Sequence, residues 1–218
     1  MPISEVKLGD CMEFMRNMPD KSFDLALVDP PYGINADTKN NGKNSDRHEK
    51  TSLAKINTYK KTNWDNETPN EDYFNELKRV SKKQIIWGAN FFGLVGGMLY
   101  WHKNVTMPTY STGELAWLSW LQKIDFVNIT WHGMLQHNMK DKEQRIHPTQ
   151  KPVALYDWLL QNYAKEGDLI LDTHVGSGSS RLACSELKFS FIGFEIDKDY
   201  YEAQEKRFKD FVSQLRMF

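Results

Sequence analysis

The sequence contains a short segment whose residue types could activate a weak nitrogen nucleophile, Asp29-Pro30-Pro31-Tyr32, directly after the apolar run Phe23–Val28. The two prolines stiffen the segment and remove two backbone donors, which leaves the Asp29 carboxylate and the Pro30 carbonyl as acceptors. An amino group conjugated to a ring is a poor nucleophile, and two acceptors that hold its hydrogens favour its reactive, pyramidal form. Tyr32 could stack on that ring. The segment therefore predicts group transfer to a ring-bound amino nitrogen, and the alternative is a proline-rich turn that only ends a strand.

A second segment has the composition of a nucleotide-like ligand site, because the run Leu169–Asp172 leads into the glycine-rich turn Gly176-Ser177-Gly178. The glycines allow a ligand to approach the backbone closely, and Asp172 could bind a cationic or hydroxyl group. Glu195 follows at the spacing of about 20 residues at which Rossmann-type sites place the acid that binds ribose hydroxyls. The turn lacks the third glycine of a GxGxxG fingerprint, which disfavours a nicotinamide cofactor.

These segments need a scaffold, and the sequence alternates short apolar runs with amphipathic stretches. The predicted strands are Phe23–Val28, Gln84–Trp87, Leu169–Leu171 and Phe189–Phe194. The predicted helices are Tyr73–Lys82, Pro152–Ala164, Ser179–Lys188 and Tyr200–Leu215. Alternating strands and helices indicate a doubly wound α/β fold. Asp29, Asp172 and Glu195 each follow or end a predicted strand, so we expect them along one edge of the sheet, where open α/β sheets bind ligands.

The length of 218 residues fits one domain, and we expect residues 1–218 to form a single unit. No apolar run approaches the roughly 18 residues of a membrane span, and Met1–Asp10 lacks the pattern of a secretory signal, so we expect a cytoplasmic protein without a membrane partner. Cys11 and Cys184 have no metal-ligand spacing, which argues against a disulfide framework or a metal site. The isolated histidines, His174 among them, are expected at the surface or in hydrogen bonds, without a catalytic role.

Positive charge is concentrated in one segment although the chain has a formal net charge of -1. Lys39–Lys61 contains seven basic and two acidic residues, within a predicted loop over residues 33–70 that is long enough to be functional or disordered. A second irregular stretch, His132–Gln150, also contains basic residues. We expect both stretches to contact nucleic-acid phosphates, with a solvated loop of no function as the alternative. The candidate contacts are Lys39, Lys43, Arg47, Lys50, Lys55, Lys60, Lys61, Lys140, Lys142 and Arg145.

Further motifs carry a family resemblance, and the order of the motifs supports it. Asp29–Tyr32 precedes Asp172–Gly178, and His147-Pro148-Thr149-Gln150-Lys151-Pro152 stands just before the second of these segments. The other motifs are Gly9-Asp10-Cys11, Trp87-Gly88-Ala89-Asn90 and Glu114-Leu115-Ala116-Trp117. Together they resemble the permuted beta group of amino-methylating DNA methyltransferases, in particular the small phage-type N6-adenine methyltransferases.

The resemblance implies a Rossmann-like methyltransferase sheet, mostly parallel with one antiparallel strand, and a circularly permuted motif order. It also implies S-adenosylmethionine as cofactor, double-stranded DNA as partner, no metal, and self-association, since the family includes dimers. The implied catalytic residues are Asp29, Pro30, Pro31 and Tyr32. The implied cofactor-binding residues are Asp10, Cys11, Asp29, Thr149, Gln150, Lys151, Asp172, Thr173, Gly176, Ser177, Gly178, Glu195 and Ile196.

The target base is less sharply defined than the reaction. Asp rather than Ser at position 29 resembles the adenine-N6 enzymes more than the cytosine-N4 enzymes, and cytosine N4 stays open as the second reading. Methylation of cytosine carbon 5 is disfavoured, because neither Cys11 nor Cys184 follows a proline. The target-recognition insertion, at about 118–147, is short, so we expect a short or relaxed recognition sequence. The remaining alternatives are methylation of RNA or of a protein amide, and a catalytically silent DNA- or cofactor-binding module.

Overall fold

The computed structural model of the protein describes residues 2–36, 64–105, 111–132 and 134–215. Its strands are β1 (Ser4–Leu8), β2 (Phe23–Val28), β3 (Ser81–Trp87), β4 (Gly97–His102), β5 (Gly113–Leu118), β6 (Ile124–Asn128), β7 (Trp131–His132), β8 (Leu135–Gln136), β9 (Leu169–Asp172) and β10 (Ser190–Glu195). Its helices are α1 (Cys11–Arg16), α2 (Glu71–Val80), α3 (Val153–Tyr163), α4 (Ser179–Glu186) and α5 (Lys198–Leu215).

Eight of these strands form one sheet in the order β1-β10-β9-β2-β3-β5-β4-β6, and β7 and β8 form a separate hairpin. Within the described part of the eight-stranded sheet, β5 is the one strand that runs antiparallel to its neighbours, β3 and β4. The other pairs in this sheet are parallel. The prediction of an α/β fold with a mostly parallel sheet and one antiparallel strand is confirmed.

Helices cover both faces of the central strands, because successive strand residues point to opposite faces. On one face, Leu25 and Leu27 of β2 share an apolar core with residues of α3 and α4. On the other face, Ala26 and Val28 share a second core with residues of α1 and α2. Burying a leucine or valine side chain contributes about 1.5–3 kcal/mol, so the uniformly apolar run of β2 stabilises both layers at once. Packing between these two layers of helices fixes the position of the end of β2.

The connections place a crevice between β9 and β2. From β9 the chain passes through α4 to β10 on one side, and from β2 it passes through α2 to β3 on the other side. The winding therefore reverses between β9 and β2, and open α/β sheets bind ligands at such a reversal. Asp172 ends β9 and Asp29 follows β2, so the two predicted acids border this crevice.

The predicted helix Tyr73–Lys82 is too long at its end. The structure ends α2 at Val80 and begins β3 at Ser81, whose extended backbone has φ -121° and ψ 148°. The Ser81 hydroxyl donates to the Leu77 carbonyl at 2.5 Å, and this bond satisfies an acceptor at the helix end. Lys82 then lies in β3, which pairs with β2 from Phe23 to Val28.

The segment predicted as a target-recognition insertion, at about 118–147, is divided by the structure. β6 joins the main sheet beside β4, and the β7–β8 hairpin follows outside that sheet.

Across the described ranges, no helix combines the length and the apolar character that crossing a bilayer requires. The same residues contain no cluster of three or more His, Cys, Asp or Glu side chains arranged to hold a metal ion.

Candidate active site

The turn Asp29–Tyr32 is held in shape by a carboxylate from a distant part of the sequence. Asp65 is 1% exposed, and its Oδ1 accepts from the backbone N–H groups of Tyr32 at 2.6 Å and Gly33 at 2.9 Å. Its Oδ2 accepts from the backbone N–H of Ala36 at 2.8 Å. Charge-assisted hydrogen bonds are about twice as strong as neutral ones, so Asp65 fixes the backbone on the far side of the two prolines.

The side chain of Tyr32 is fixed at both ends. Its hydroxyl donates to Asp29 Oδ1 at 2.5 Å, and its ring stacks on Phe91 with centroids 4.8 Å apart. Gly88 has φ +78°, and a Cβ atom there would lie 2.7 Å from Tyr32 Cδ1 and closer still to Cε1. The ring therefore occupies space that only glycine leaves open at position 88. Stacking of Tyr32 on a substrate ring stays a prediction.

A chain of alternating charges runs from Asp29 into the protein. The Lys151 ammonium, 4% exposed at its side chain, contacts Asp29 Oδ2 and forms an ion pair with Glu114 Oε2 at 3.1 Å. Lys103 contacts the other oxygen of Glu114, Oε1. Two carboxylates and two ammonium groups balance, and such pairing offsets part of the large cost of burying charge. The turn is thus tied to β5 and to the residue that follows β4.

The pKa values of these groups shift differently, because neighbouring opposite charges offset the effect of burial to unequal degrees. Burial raises the pKa of Asp29, and the positive charge of Lys151 opposes that rise only in part. Burial also disfavours ionised Glu114, but Lys151 and Lys103 together lower its pKa to about 2. Although burial disfavours the Lys151 ammonium, the two carboxylates raise its pKa. As pH falls, Asp29 is therefore protonated before Glu114.

A cavity of about 400 Å³ opens on one side of Asp29 and is lined by the whole turn Asp29–Tyr32. Three tryptophans also line it, Trp64, Trp101 and Trp131. Trp131 is held in place, because its Nε1–H donates to the Gln150 carbonyl at 2.7 Å. Flat aromatic walls with a few polar groups at one end suit a planar heterocycle.

A second cavity, of about 280 Å³, also borders Asp29. Eight residues predicted to bind a cofactor line it, and four of these, Gly176, Ser177, Glu195 and Ile196, do not line the larger cavity. The Glu195 carboxylate accepts from the backbone N–H groups of Gly176 at 2.7 Å and Asp197 at 2.9 Å, which fixes its orientation. Ile196 is 66% exposed, so an apolar surface borders the cavity. This cavity suits a ligand with hydroxyl groups and an apolar ring.

Both cavities share one wall, and the predicted catalytic acid is part of it. The residues that line both are Asp29, Pro31, Trp64, Thr149, Gln150 and Lys151. Asp29 and the turn at Gly176, which are far apart in the sequence, therefore converge on one site, as the sequence predicted. Two molecules, one in each cavity, would both lie beside the Asp29 carboxylate.

Three predicted ligand residues lie behind the wall of the smaller cavity and shape it. Asp172 accepts from the Ser180 hydroxyl at 2.5 Å and from the backbone N–H of His174 at 3.0 Å, and burial raises its pKa to about 7. The Thr173 hydroxyl lies 2.7 Å from the hydroxyl of Tyr73, and Gly178 precedes α4 at φ +75°. A direct ligand contact of Asp172 stays a prediction.

Asp10 and Cys11 lie at the start of α1. Asp10 is the N-cap residue, and its side chain accepts from the backbone N–H of Met12 at 2.9 Å, a bond that stabilises the helix start. Cys11 is buried, and burial raises the pKa of its thiol to about 12. The thiol is therefore protonated at neutral pH, and a cofactor contact of either residue stays a prediction.

The predicted phosphate contacts divide into three groups. The seven basic residues from Lys39 to Lys61 lie outside the described residues. Lys140 and Lys142 are exposed on the turn after β8. Arg145 instead lines the larger cavity, with its guanidinium carbon 4.3 Å from the Trp131 ring centroid. Arg145 therefore lies in the wall of the candidate substrate cavity.

Several residues that build the site were not identified from the sequence. Glu114 had a usable signal, because an acid within the apolar run Gly113–Leu118 needs a charged partner if the strand is buried. His174 was expected at the surface or in hydrogen bonds, without a catalytic role; it lines the smaller cavity, and burial lowers its pKa to about 4. Asp65 and Lys103 gave no local signal, because their partners are distant in the sequence.

Comparison with known proteins identifies relatives over nearly the whole chain. The N6_N4_Mtase family model, described as DNA methylase, matches residues 55–206. The type II methyltransferase M2.MboI of Moraxella bovis is 25% identical over an alignment that covers 95% of this chain and 88% of that protein. The sequence similarity therefore extends beyond any single motif.

Solved structures share the fold at low sequence identity. The complex of M1.HpyAVI with SAM superposes with a TM-score of 0.58 at 21% identity, covering 93% of this chain and 98% of that one. The cytosine-N4-specific PvuII DNA methyltransferase gives a TM-score of 0.58 at 14% identity, covering 96% of this chain and 91% of that one.

Proposed function

The chain belongs to the N6_N4_Mtase family of DNA methylases, and from that membership we propose that it transfers a methyl group from S-adenosylmethionine to the N6 amino group of adenine in double-stranded DNA. The observation that carries this proposal is the wall shared by the two cavities, which contains Asp29 and Pro31. A methyl donor in one cavity and a base in the other would each reach the same carboxylate.

The smaller cavity fits S-adenosylmethionine by the chemistry of its lining. Glu195 keeps lone pairs for ribose hydroxyls beyond the two backbone N–H groups that it already accepts. The exposed Ile196 offers an apolar surface to the adenine ring, and Thr149 and Gln150 stand near Asp29 for the methionine end. When bound, this cofactor supplies a methyl group on a positively charged sulfur atom.

In the larger cavity, Asp29 and the Pro30 carbonyl accept hydrogen bonds from the amino group that receives the methyl group. Without substrate, the Asp29 oxygens already hold the Tyr32 hydroxyl and Lys151, so the acceptor is oriented before the base arrives. Catalysis then depends on positioning and preorganised electrostatics. An amino group inside a duplex is paired and out of reach, so the base must leave the helix to enter the cavity.

Adenine N6 is favoured over cytosine N4 by Asp at position 29, on the resemblance to the adenine enzymes. Cytosine N4 stays the alternative, and the cytosine-N4-specific PvuII DNA methyltransferase has the same fold. RNA, protein amides and a catalytically silent module are further alternatives, which the first experiment separates.

The test is incubation of the protein with methyl-labelled S-adenosylmethionine and, separately, double-stranded DNA, RNA and protein. We expect label in DNA alone and N6-methyladenine by nucleoside mass spectrometry. Asp29→Ala should lower the rate by at least about 100-fold, by loss of a preorganised acceptor. Asp24→Asn is the matched control, because Asp24 lies on β2, the strand that Asp29 follows, but pairs with Lys82 and lines neither cavity. Undiminished transfer by Asp29→Ala, or label in RNA or protein, would contradict the proposal.

The basic segment Lys39–Lys61 is proposed to supply phosphate contacts, supplemented by Lys140 and Lys142. Affinity for DNA should then fall steeply as salt rises. With so few residues left to read base edges, the recognition sequence is proposed to be short or relaxed. Sequencing methylated DNA would test this, and a long strict motif would count against it.

A homodimer in the cytoplasm is the proposed assembly. The outer strand of the sheet, β6, exposes Ile124 and Phe126, and exposed apolar side chains on an edge strand favour association. Sedimentation of the wild-type protein and of Phe126→Glu would test this arrangement, and a wild-type monomer at all concentrations would exclude it.

A further inference from the structure

The hairpin β7–β8 and the turn after it present three large apolar side chains to solvent. Met134 is 68% exposed, Leu135 50% and Met139 49%. Lys140 and Lys142, both exposed, follow them directly. Clustered exposed apolar residues beside polar ones mark an interaction site more often than isolated ones do, and the neighbouring lysines favour a partner with negative charge.

The strand register places Leu135 beside a residue that lines the larger cavity. His132 of β7 is directly opposite Leu135 of β8, and residues directly opposite in an antiparallel pair point to the same face with Cβ atoms about 5 Å apart. His132 lines the larger cavity. Leu135 therefore lies next to a residue of the cavity wall and is itself half exposed to solvent.

The hairpin is anchored to the body of the protein. The Gln136 side-chain amide donates to the Glu143 carbonyl at 2.9 Å and accepts from the Glu143 N–H at 2.7 Å. The Glu143 carboxylate in turn accepts from Arg207 of α5 at 2.7 Å and from the backbone N–H of Val153 at 2.9 Å. The apolar group is thus presented on a fixed support, which reduces the entropy lost when it contacts a partner.

We propose that Leu135, flanked by Met134 and Met139, enters the DNA helix and stacks in the space that the target base leaves. This inference rests on the proposed function and names the residues that open the duplex. Unstacking a base costs free energy, and apolar side chains of DNA-binding proteins insert between base steps of an opened helix. Lys140 and Lys142 would hold the adjacent phosphates.

The test uses a short duplex centred on a site that the wild-type protein methylates, together with the same duplex carrying a mismatch at the target base. Leu135→Ser should lower the single-turnover methylation rate on the matched duplex by about tenfold or more, because the apolar wedge is lost. On the mismatched duplex, where the base leaves the helix easily, the variant should approach the wild-type rate.

The matched control is Ile3→Ser, because Ile3 is exposed beside β1 at the opposite edge of the sheet. Both variants should keep the wild-type cofactor affinity and melting temperature. An unchanged rate of Leu135→Ser on matched DNA, or an equal loss on matched and mismatched DNA, would overturn the inference. So would altered sedimentation of this variant without DNA, since it would assign the group to a protein interface. If the wild-type protein methylates no duplex, the proposed function fails and the inference fails with it.

Discussion

The charge of Asp29 depends on two neighbours of opposite sign. Lys151 contacts one of its oxygens, and Glu114 lies on the far side of the same ammonium. Glu114 raises the pKa of Asp29 and Lys151 lowers it, against the larger effect of burial. Protonation of Asp29 removes the negative charge and part of the acceptor capacity that hold the amino hydrogens, so the activity should fall as pH falls through the pKa of Asp29.

Substitution of Glu114 or Lys151 should shift the low-pH decline of kcat/KM, its acid limb, in a defined direction. Glu114→Gln removes a negative charge, which lowers the pKa of Asp29 and shifts the acid limb of kcat/KM to lower pH. Lys151→Met removes the positive charge and shifts the limb to higher pH. The measurement is kcat/KM against pH with saturating cofactor. Shifts of the same sign in both variants would show that another group controls the profile.

The sequence predicted the residues of the candidate site that belong to local motifs, but not the residues that support those motifs from distant positions. Asp29, Pro31, Glu195 and Gly176 were predicted together because each belongs to a contiguous motif with its own chemistry, and the structure places all four in the lining of the smaller cavity. Asp65 was not predicted, because its role depends on contact with residues about thirty positions earlier in the sequence. Motifs of adjacent residues can thus be predicted from the sequence, whereas contacts between residues that are distant in the sequence cannot.

At the scale of elements, Gly88 directly follows β3, and its lack of a side chain leaves the space that the Tyr32 ring occupies. Gly88→Ala should lower kcat by about 100-fold, because displacement of a positioning group by about 1 Å has that cost. Gly93→Ala is the control, since Gly93 also has a positive φ of +64° but an added Cβ would meet nothing within 4 Å.

Both substitutions strain a left-handed backbone to a similar degree, so both should lower the melting temperature. Only Gly88→Ala crowds the tyrosine ring. Measurement of kcat and melting temperature for the pair separates strain from displacement. Equal kcat values in the two variants would show that Tyr32 needs no fixed position.

The strands that sequence predicted are those buried on both faces. β2, β9 and β10 read as continuous apolar runs, which is typical of the middle of a parallel sheet. β1 was not predicted, because in Ser4–Leu8 only Val6 is buried and an outer strand has little apolar pattern. The end of α2 was misplaced because Ser81-Lys82-Lys83 is polar enough to extend a helix pattern, and only its pairing with β2 makes it a strand.

At the scale of the whole molecule, stability should depend on the buried acid beneath the glycine turn. Burial raises the pKa of Asp172 from 3.8 to about 7, so its contribution to stability is present below about pH 4 and is lost as pH rises to about 7. His147 and His174 act in the opposite sense, because burial lowers their pKa values to about 3 and about 4 and their contribution is lost as pH falls.

Asp172→Asn removes the first effect and leaves the second. The melting temperature of the variant relative to the wild type should therefore increase as pH rises from about 4 to about 7. Thermal unfolding of both proteins without ligand, across that range, provides the measurement. A constant difference between the two melting temperatures would show that Asp172 does not change its protonation state in this window.

The bonds of Asp65 also have a consequence for variation between relatives. Ala36 and Asp65 are neighbours in space, so the chain between them departs from and returns to one point beside the turn Asp29–Tyr32. Closing a longer excursion costs little additional entropy, about 0.6 kcal/mol for each doubling of length. Insertions, deletions or grafted sequences within residues 37–63 should therefore be exchangeable without disturbing the methylation chemistry, provided that Trp64, which lines both cavities, is kept, which makes this interval a natural place to alter what the enzyme recognises.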